Sequence, residues 1–149
     1  MAGSKIEICS AALVLLGQSR INSFAEDSTG LCDAWWDTVR KSTLRLGTWQ
    51  CARKRVLLAP LATTPGFEWA YQFQIPTECL RIVSVGESGD FDNYEIENNL
   101  ILSAQKSIKL RFVYDNEVTS TWDSILTEAV ALHMAWVKIE SHVEVTSLS

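Results

Sequence analysis

The residues of this chain able to do chemistry are few and scattered. Two histidines, His133 and His142, and four cysteines, Cys9, Cys32, Cys51 and Cys79, are the whole stock of imidazole and thiol groups in 149 residues. An enzyme needs a nucleophile, or an acid and a base, held in mutual geometry. No G-x-S-x-G, H-E-x-x-H or P-loop motif is present around which to build one. His133 stands inside an apolar run, where a partly buried, hydrogen-bonded ring is the expected role, and His142 stands where that run frays. The cysteines form no C-x-x-C and none has a histidine at ligand spacing. Reduced, mostly buried thiols are therefore expected rather than a zinc site, a usage that points to the cytoplasm. Carboxylate pairs such as a cell-wall glycan hydrolase uses do occur, but 18 Asp/Glu in a chain this short produce such pairs by chance.

Two loops resemble ligand sites and fail on inspection. Asp90-Phe91-Asp92-Asn93-Tyr94-Glu95 starts like a calcium loop, yet its sixth position is not glycine and its twelfth is Ile101. Gly86-Glu87-Ser88-Gly89 has glycines for a phosphate cradle, but the acids beside them give the wrong sign of potential. No metal and no cofactor is expected. The basic segment Arg53-Lys54-Arg55, together with Arg40, Lys41, Arg45 and Trp49, has the composition of a nucleic-acid-binding module. A charged edge strand, which discourages unwanted strand pairing, accounts for it better. Net charge is −5, unevenly divided: residues 1–56 carry eight Lys/Arg against five Asp/Glu, and the rest carries five against thirteen. Such polarity orients a molecule toward charged partners and opposes wrapping nucleic acid with the whole surface.

The elements that would position these groups follow from composition and periodicity. With 47% hydrophobic and 21% charged residues the chain fits one compact domain, residues 1–149, able to bury a core without staples. Its longest apolar run, residues 11–16, is far short of the roughly 18–20 residues that span a bilayer, so no membrane partner is expected. Lys5 is offset by Glu7 and no small-x-small site precedes Arg20, which argues against a signal peptide. Ser4 and Glu7 have capping-box spacing and Gly17 a stop signal, giving a helix over about residues 5–16 with Ile6, Cys9, Leu13 and Leu16 inward. Glu26-Asp27-Ser28 opens a second helix over about 28–46, with Leu31, Trp35, Val39, Ser42 and Leu46 on its buried side. That places Trp36 at the helix margin, where large aromatics serve as interface anchors. Alternation at 67–75, 80–85, 100–104 and 108–114 predicts strands within a β-rich insertion of about 52–114, with a turn at Asn98-Asn99. Ser120 caps a third helix to about 140, with Ile125, Ala129, Leu132, Trp136 and Ile139 inward. The expectation is an α+β fold: an antiparallel bundle of three main helices, a small inserted antiparallel sheet, and an extended C-terminal tail over 141–149.

Taken in order, several of these stretches resemble the tail tubular protein A and head-to-tail adaptor family of tailed bacteriophages. The stretches are 8–18, with Ser10-Ala11-Ala12-Leu13 and Gly17; the Glu26-Asp27-Ser28 helix start; and Trp49 followed by Ala52-Arg53-Lys54-Arg55-Val56. Further on come Trp69-Ala70-Tyr71, Ile75-Pro76-Thr77-Glu78-Cys79-Leu80-Arg81-Ile82, Tyr114, and Trp122-Asp123 leading into Glu128-Ala129-Val130-Ala131-Leu132. The resemblance implies a non-catalytic virion protein, assembled in the host cytoplasm. Its copies would form a ring of about twelve, docked under the portal protein, bound to tail or nozzle proteins below, and passing double-stranded DNA without specific binding. On that basis Trp36, Arg40, Arg53, Lys54 and Arg55 are candidate ring-interface or basic-patch residues. Glu87, Asp90 and Asp92 form a candidate channel-facing or tail-facing acidic loop, since repulsion lets DNA slide. Val143, Val145, Thr146 and Leu148 are candidate portal contacts in a tail able to add as a strand to a partner. That tail lacks the glycine-containing ending associated with the family.

Overall fold

The computed structural model describes residues 4–27 and 30–148, with side chains up to residue 140. The chain is α+β and divides into two compact units, residues 1–47 with 116–149, and residues 48–115.

The first unit holds three helices, α1 (Lys5–Leu15), α2 (Leu31–Arg45) and α3 (Ser124–Leu148), with α3 packed on both α1 and α2. The capping box forms as the spacing requires: Glu7 N–H donates to Ser4 Oγ, and Ser4 N–H to Glu7 Oε2, each at 3.3 Å. Gly17, at φ 77, lets the Gln18 amide reach back to the Leu13 carbonyl at 2.9 Å and close the helix. α2 starts at Leu31 because Gly30 is left-handed, at φ 65. Its first turn is capped by Asp27, whose Oδ2 accepts from the Cys32 amide at 3.2 Å, and Ser28 lies outside the described residues. α3 is capped by Asp123, not Ser120: Leu126 N–H donates to Asp123 Oδ1 at 2.8 Å, while Ser120 sits in a short 3-10 turn at Thr119–Thr121.

The largest correction concerns the C-terminal end. Residues 141–148 continue α3 instead of forming an extended tail, so the alternation of Val143 and Val145 does not make a strand. Prolonging an existing helix carries no nucleation cost, and a two-valine alternation has no sheet to join. The side chains of Val143, Val145, Thr146 and Leu148 lie outside those described, and their expected portal contact with them.

The second unit contains β1 (Arg53–Leu58), β2 (Tyr71–Gln74), β3 (Cys79–Val85), β4 (Glu95–Glu97), β5 (Leu100–Ser103) and β6 (Ile108–Tyr114). They form two three-stranded antiparallel sheets, in the orders β1-β6-β3 and β2-β5-β4, where a single sheet was expected. The expected strand over 67–75 is cut short because Glu68 takes a left-handed φ of 73, leaving Phe67 exposed and β2 only four residues long. Phe73 and Ile101 from one sheet, with Ile75 just after β2, meet Val85, Ile108, Leu110 and Phe112 from the other in one core. Asn98 and Asn99, both at positive φ, make the tight β4–β5 turn. Gly86 is required at the β3 exit: it sits at φ 92, and a Cβ there would lie 2.7 Å from Cβ of Phe91.

Candidate functional site

In α3 the expected helical spacing is present, but the stripe faces the opposite way. α3 buries Leu126, Val130, Ala131 and Met134, whereas Ile125, Leu132, Trp136 and Ile139, the expected core stripe, are exposed, Trp136 by 56%. At about 100° per residue the exposed set falls on the side opposite the buried one, so α3 is apolar on two opposed faces. Leu132 also joins Ala11, Val14 and Leu15 of α1 along an apolar groove of about 430 Å³, edged by Arg20, Thr127 and Glu128. Exposed apolar surface of this kind is a candidate docking surface.

α2 is turned by about one residue from the expected stripe, although Val39 is buried as expected. Trp35 is exposed, and Trp36, the expected interface anchor, is only 5% exposed and stacked on Trp122, with ring centres 5.9 Å apart. Trp122 in turn donates its indole N–H to the Asn116 carbonyl at 2.9 Å. Arg40 is also corrected: 2% exposed, it pairs with Asp37 at 2.6 Å and Glu117 at 3.4 Å, and so belongs to no surface patch. Its guanidinium, hydrogen-bonded to the Asp37 carboxylate, holds that carboxyl below the usual range.

Sequence reading missed the ion pair between Lys138 of α3 and Asp27, at 3.3 Å with both side chains about 5% exposed or less. One carboxylate thus caps α2 and anchors α3. The available signal was a lysine in an otherwise apolar helical run, because a charge is retained there only with a partner. His133 has the structural role expected of it: half-buried, its Nδ1 lies 2.9 Å from Thr43 Oγ1. That hydroxyl also donates to the Val39 carbonyl at 2.8 Å. Cys9 and Cys32 are buried free thiols, and the hydrogen bond to Cys32, reinforced by burial, pushes the Cys9 thiol up, away from nucleophilic use. Among the described residues no group of three His, Cys, Asp or Glu could hold a metal ion, and no helix is long and apolar enough to cross a membrane.

In the second unit Arg53, Lys54 and Arg55 lie on β1, which is an edge strand as the charge pattern suggested. They do not form one patch. Lys54 projects to the core side, 4.0 Å over the Tyr114 ring and 3.0 Å from Glu78, while Arg53 and Arg55 project to the opposite face. Arg55 lies directly opposite Arg111 on β6. Of the acidic loop, Glu87 is paired with Lys109 at 3.0 Å, a hydrogen bond that holds its carboxyl below the usual range. Asp90 and Asp92 are exposed, and between them Phe91 packs on the core and stacks near Tyr94, which anchors the loop.

No protein-family model matches the chain, and no curated protein is significantly similar to it.

Proposed function

We propose that this protein is a structural connector of a tailed-phage virion, a head-to-tail adaptor that repeats as a ring under the portal and carries no catalytic residue. The observation that best supports this is the second apolar face of α3. A helix apolar on both sides is normally buried on both sides, and here one side is left for a partner. Ile125, Leu132, Trp136 and Ile139 are then the portal-docking anchors, extended at one edge by the α1 groove at Val14 and Leu15. The role moves from the residues after 140 to the helix that contains them. Large aromatic and aliphatic anchors of this kind dominate interface energetics. The ordered sequence resemblance supports the phage assignment.

The test is light scattering of the purified chain, alone and mixed with the portal ring of the same phage. The expected result is a complex near one adaptor per portal subunit, lost when Trp136→Ser and Leu132→Ser are combined. A wild-type chain that ignores the portal ring would return weight to a cell-wall glycan hydrolase or a nucleic-acid-binding module.

A further inference from the structure

The β unit holds two sets of charges that are in no ion pair among the described residues. The first lies on the face of the sheet β1-β6-β3 turned away from its core cluster, around Val113 of β6, which is itself fully buried. Val56 and Leu58 pack toward the core, so strand alternation puts Arg53 and Arg55 on the other side. Arg55 faces Arg111 across the ladder, and Arg81 of β3 lies in the same row as Arg53, two strands away. Like charges directly opposite destabilise a sheet unless an anion is shared between them. Arg111 donates to the carbonyls of Gly86 and Glu87, at 2.9 and 2.8 Å, which fixes its guanidinium without cancelling its charge. Lys109 is the cation of this face that has a carboxylate, Glu87.

The second set is Asp90 and Asp92 in the β3–β4 loop with Glu95 and Glu97 on β4, the edge strand of the other sheet. All four are exposed, and among the described residues none of them, and none of Arg53, Arg55, Arg81 or Arg111, is in an ion pair. Glu95 and Glu97 project to one side of their strand about 7 Å apart, the same interval that separates Arg53 from Arg55 on theirs.

We infer that the arginine face of one copy receives the acidic β4 edge of the next, a head-to-tail contact between copies of this chain. The inference rests on the reading of the chain as a repeating subunit. Because both surfaces are present on every copy, each contact leaves one of each free, and the contact repeats until the assembly closes. Guanidinium groups suit this role, since each can hold a carboxylate through two parallel hydrogen bonds. Duplex nucleic acid is the other polyanion arginines hold, but four unpaired carboxylates in the same unit and a net charge of −5 oppose it.

Charge reversal with rescue tests the contact, read by sedimentation velocity of the full chain over a concentration series at low and high salt. Wild type should associate at low salt and dissociate as salt rises. Arg53→Glu with Arg55→Glu should remain monomeric, as should Glu95→Lys with Glu97→Lys. The four substitutions combined should associate again, because the complementary pair is restored with its signs exchanged. Circular dichroism of each variant separates lost association from lost folding. Single-face variants that associate like wild type, or a combined variant that stays dissociated, would overturn the contact. A wild type that is monomeric at low salt also overturns it, whereas the connector reading falls only if that protein ignores the portal ring as well. Salt-sensitive binding of random-sequence duplex DNA, abolished by the arginine reversals and untouched by the glutamate reversals, would assign the face to phosphates and overturn the inference too.

Discussion

The two sides of α3 are almost equally apolar and have opposite fates. On one side Leu126, Val130 and Met134 pack on α1 and α2, and on the other Ile125, Leu132, Trp136 and Ile139 meet solvent. The difference is one of packing, not of composition: hydrophobic periodicity reports which faces of a helix are apolar, and tertiary contacts decide which of them is buried. The packed side carries a buried charge, Lys138, tied to Asp27. A buried pair adds little net stability, yet it favours this facing of the helix, because the opposite rotation would take the Lys138 ammonium away from the buried Asp27 carboxylate.

Substitutions on the two sides should therefore separate folding from docking. Lys138→Met strands the Asp27 carboxylate and should cost about 3–5 kcal/mol in urea unfolding, whereas the Asp27→Leu, Lys138→Met double variant should recover most of that loss. Recovery that fails would mean the pair does more than neutralise itself. Met134→Ala opens a cavity on the packed side and should cost about 2–5 kcal/mol of stability, with portal docking unchanged once the protein is folded. Trp136→Ser reverses that pattern: thermal unfolding should move by no more than about 0.5 kcal/mol equivalent, while docking measured by titration weakens by about 2 kcal/mol or more.

The smallest effect expected is electrostatic. Arg40 holds the Asp37 carboxyl below its usual range, so its stabilisation is present at neutral pH and fades as pH falls through the folded-state value. Asp37 is 74% exposed, which limits the gain to less than about 1 kcal/mol. The melting temperatures of wild type and Asp37→Asn should differ slightly at pH 7 and converge in acid. A gap that widened in acid would contradict the pairing.

Local chemistry was the most legible part of this sequence. Ser4, Glu7 and Gly17 bound α1 as their types require, Asn98 and Asn99 make a turn, and β6 spans Ile108–Tyr114 as its alternation indicates. Backbone surprises at Gly30 and Glu68 moved other boundaries, because a left-handed residue is invisible to a pattern of apolar spacing. The rotation of α2 and α3 was illegible for a related reason. Trp35 and Trp36 are adjacent, and α3 has apolar stripes on opposite sides, so spacing alone cannot choose which stripe is buried. Placing Arg40 and Trp36 inside and Trp136 outside required the partners Asp37, Glu117 and Trp122, which are set by tertiary packing. The separation of Lys54 from Arg53 and Arg55 followed directly from strand alternation, once β1 was paired with β6.

The central claim is that α3's outer face is built to be covered in a connector assembly. Light scattering of the chain with its portal ring, for wild type and for Trp136→Ser with Leu132→Ser, tests it most directly. The account predicts a complex near one copy per portal subunit for wild type and a folded variant that does not join the portal ring. A variant that docks as wild type does would show that the outer face of α3 is not the surface that joins this protein to its partner.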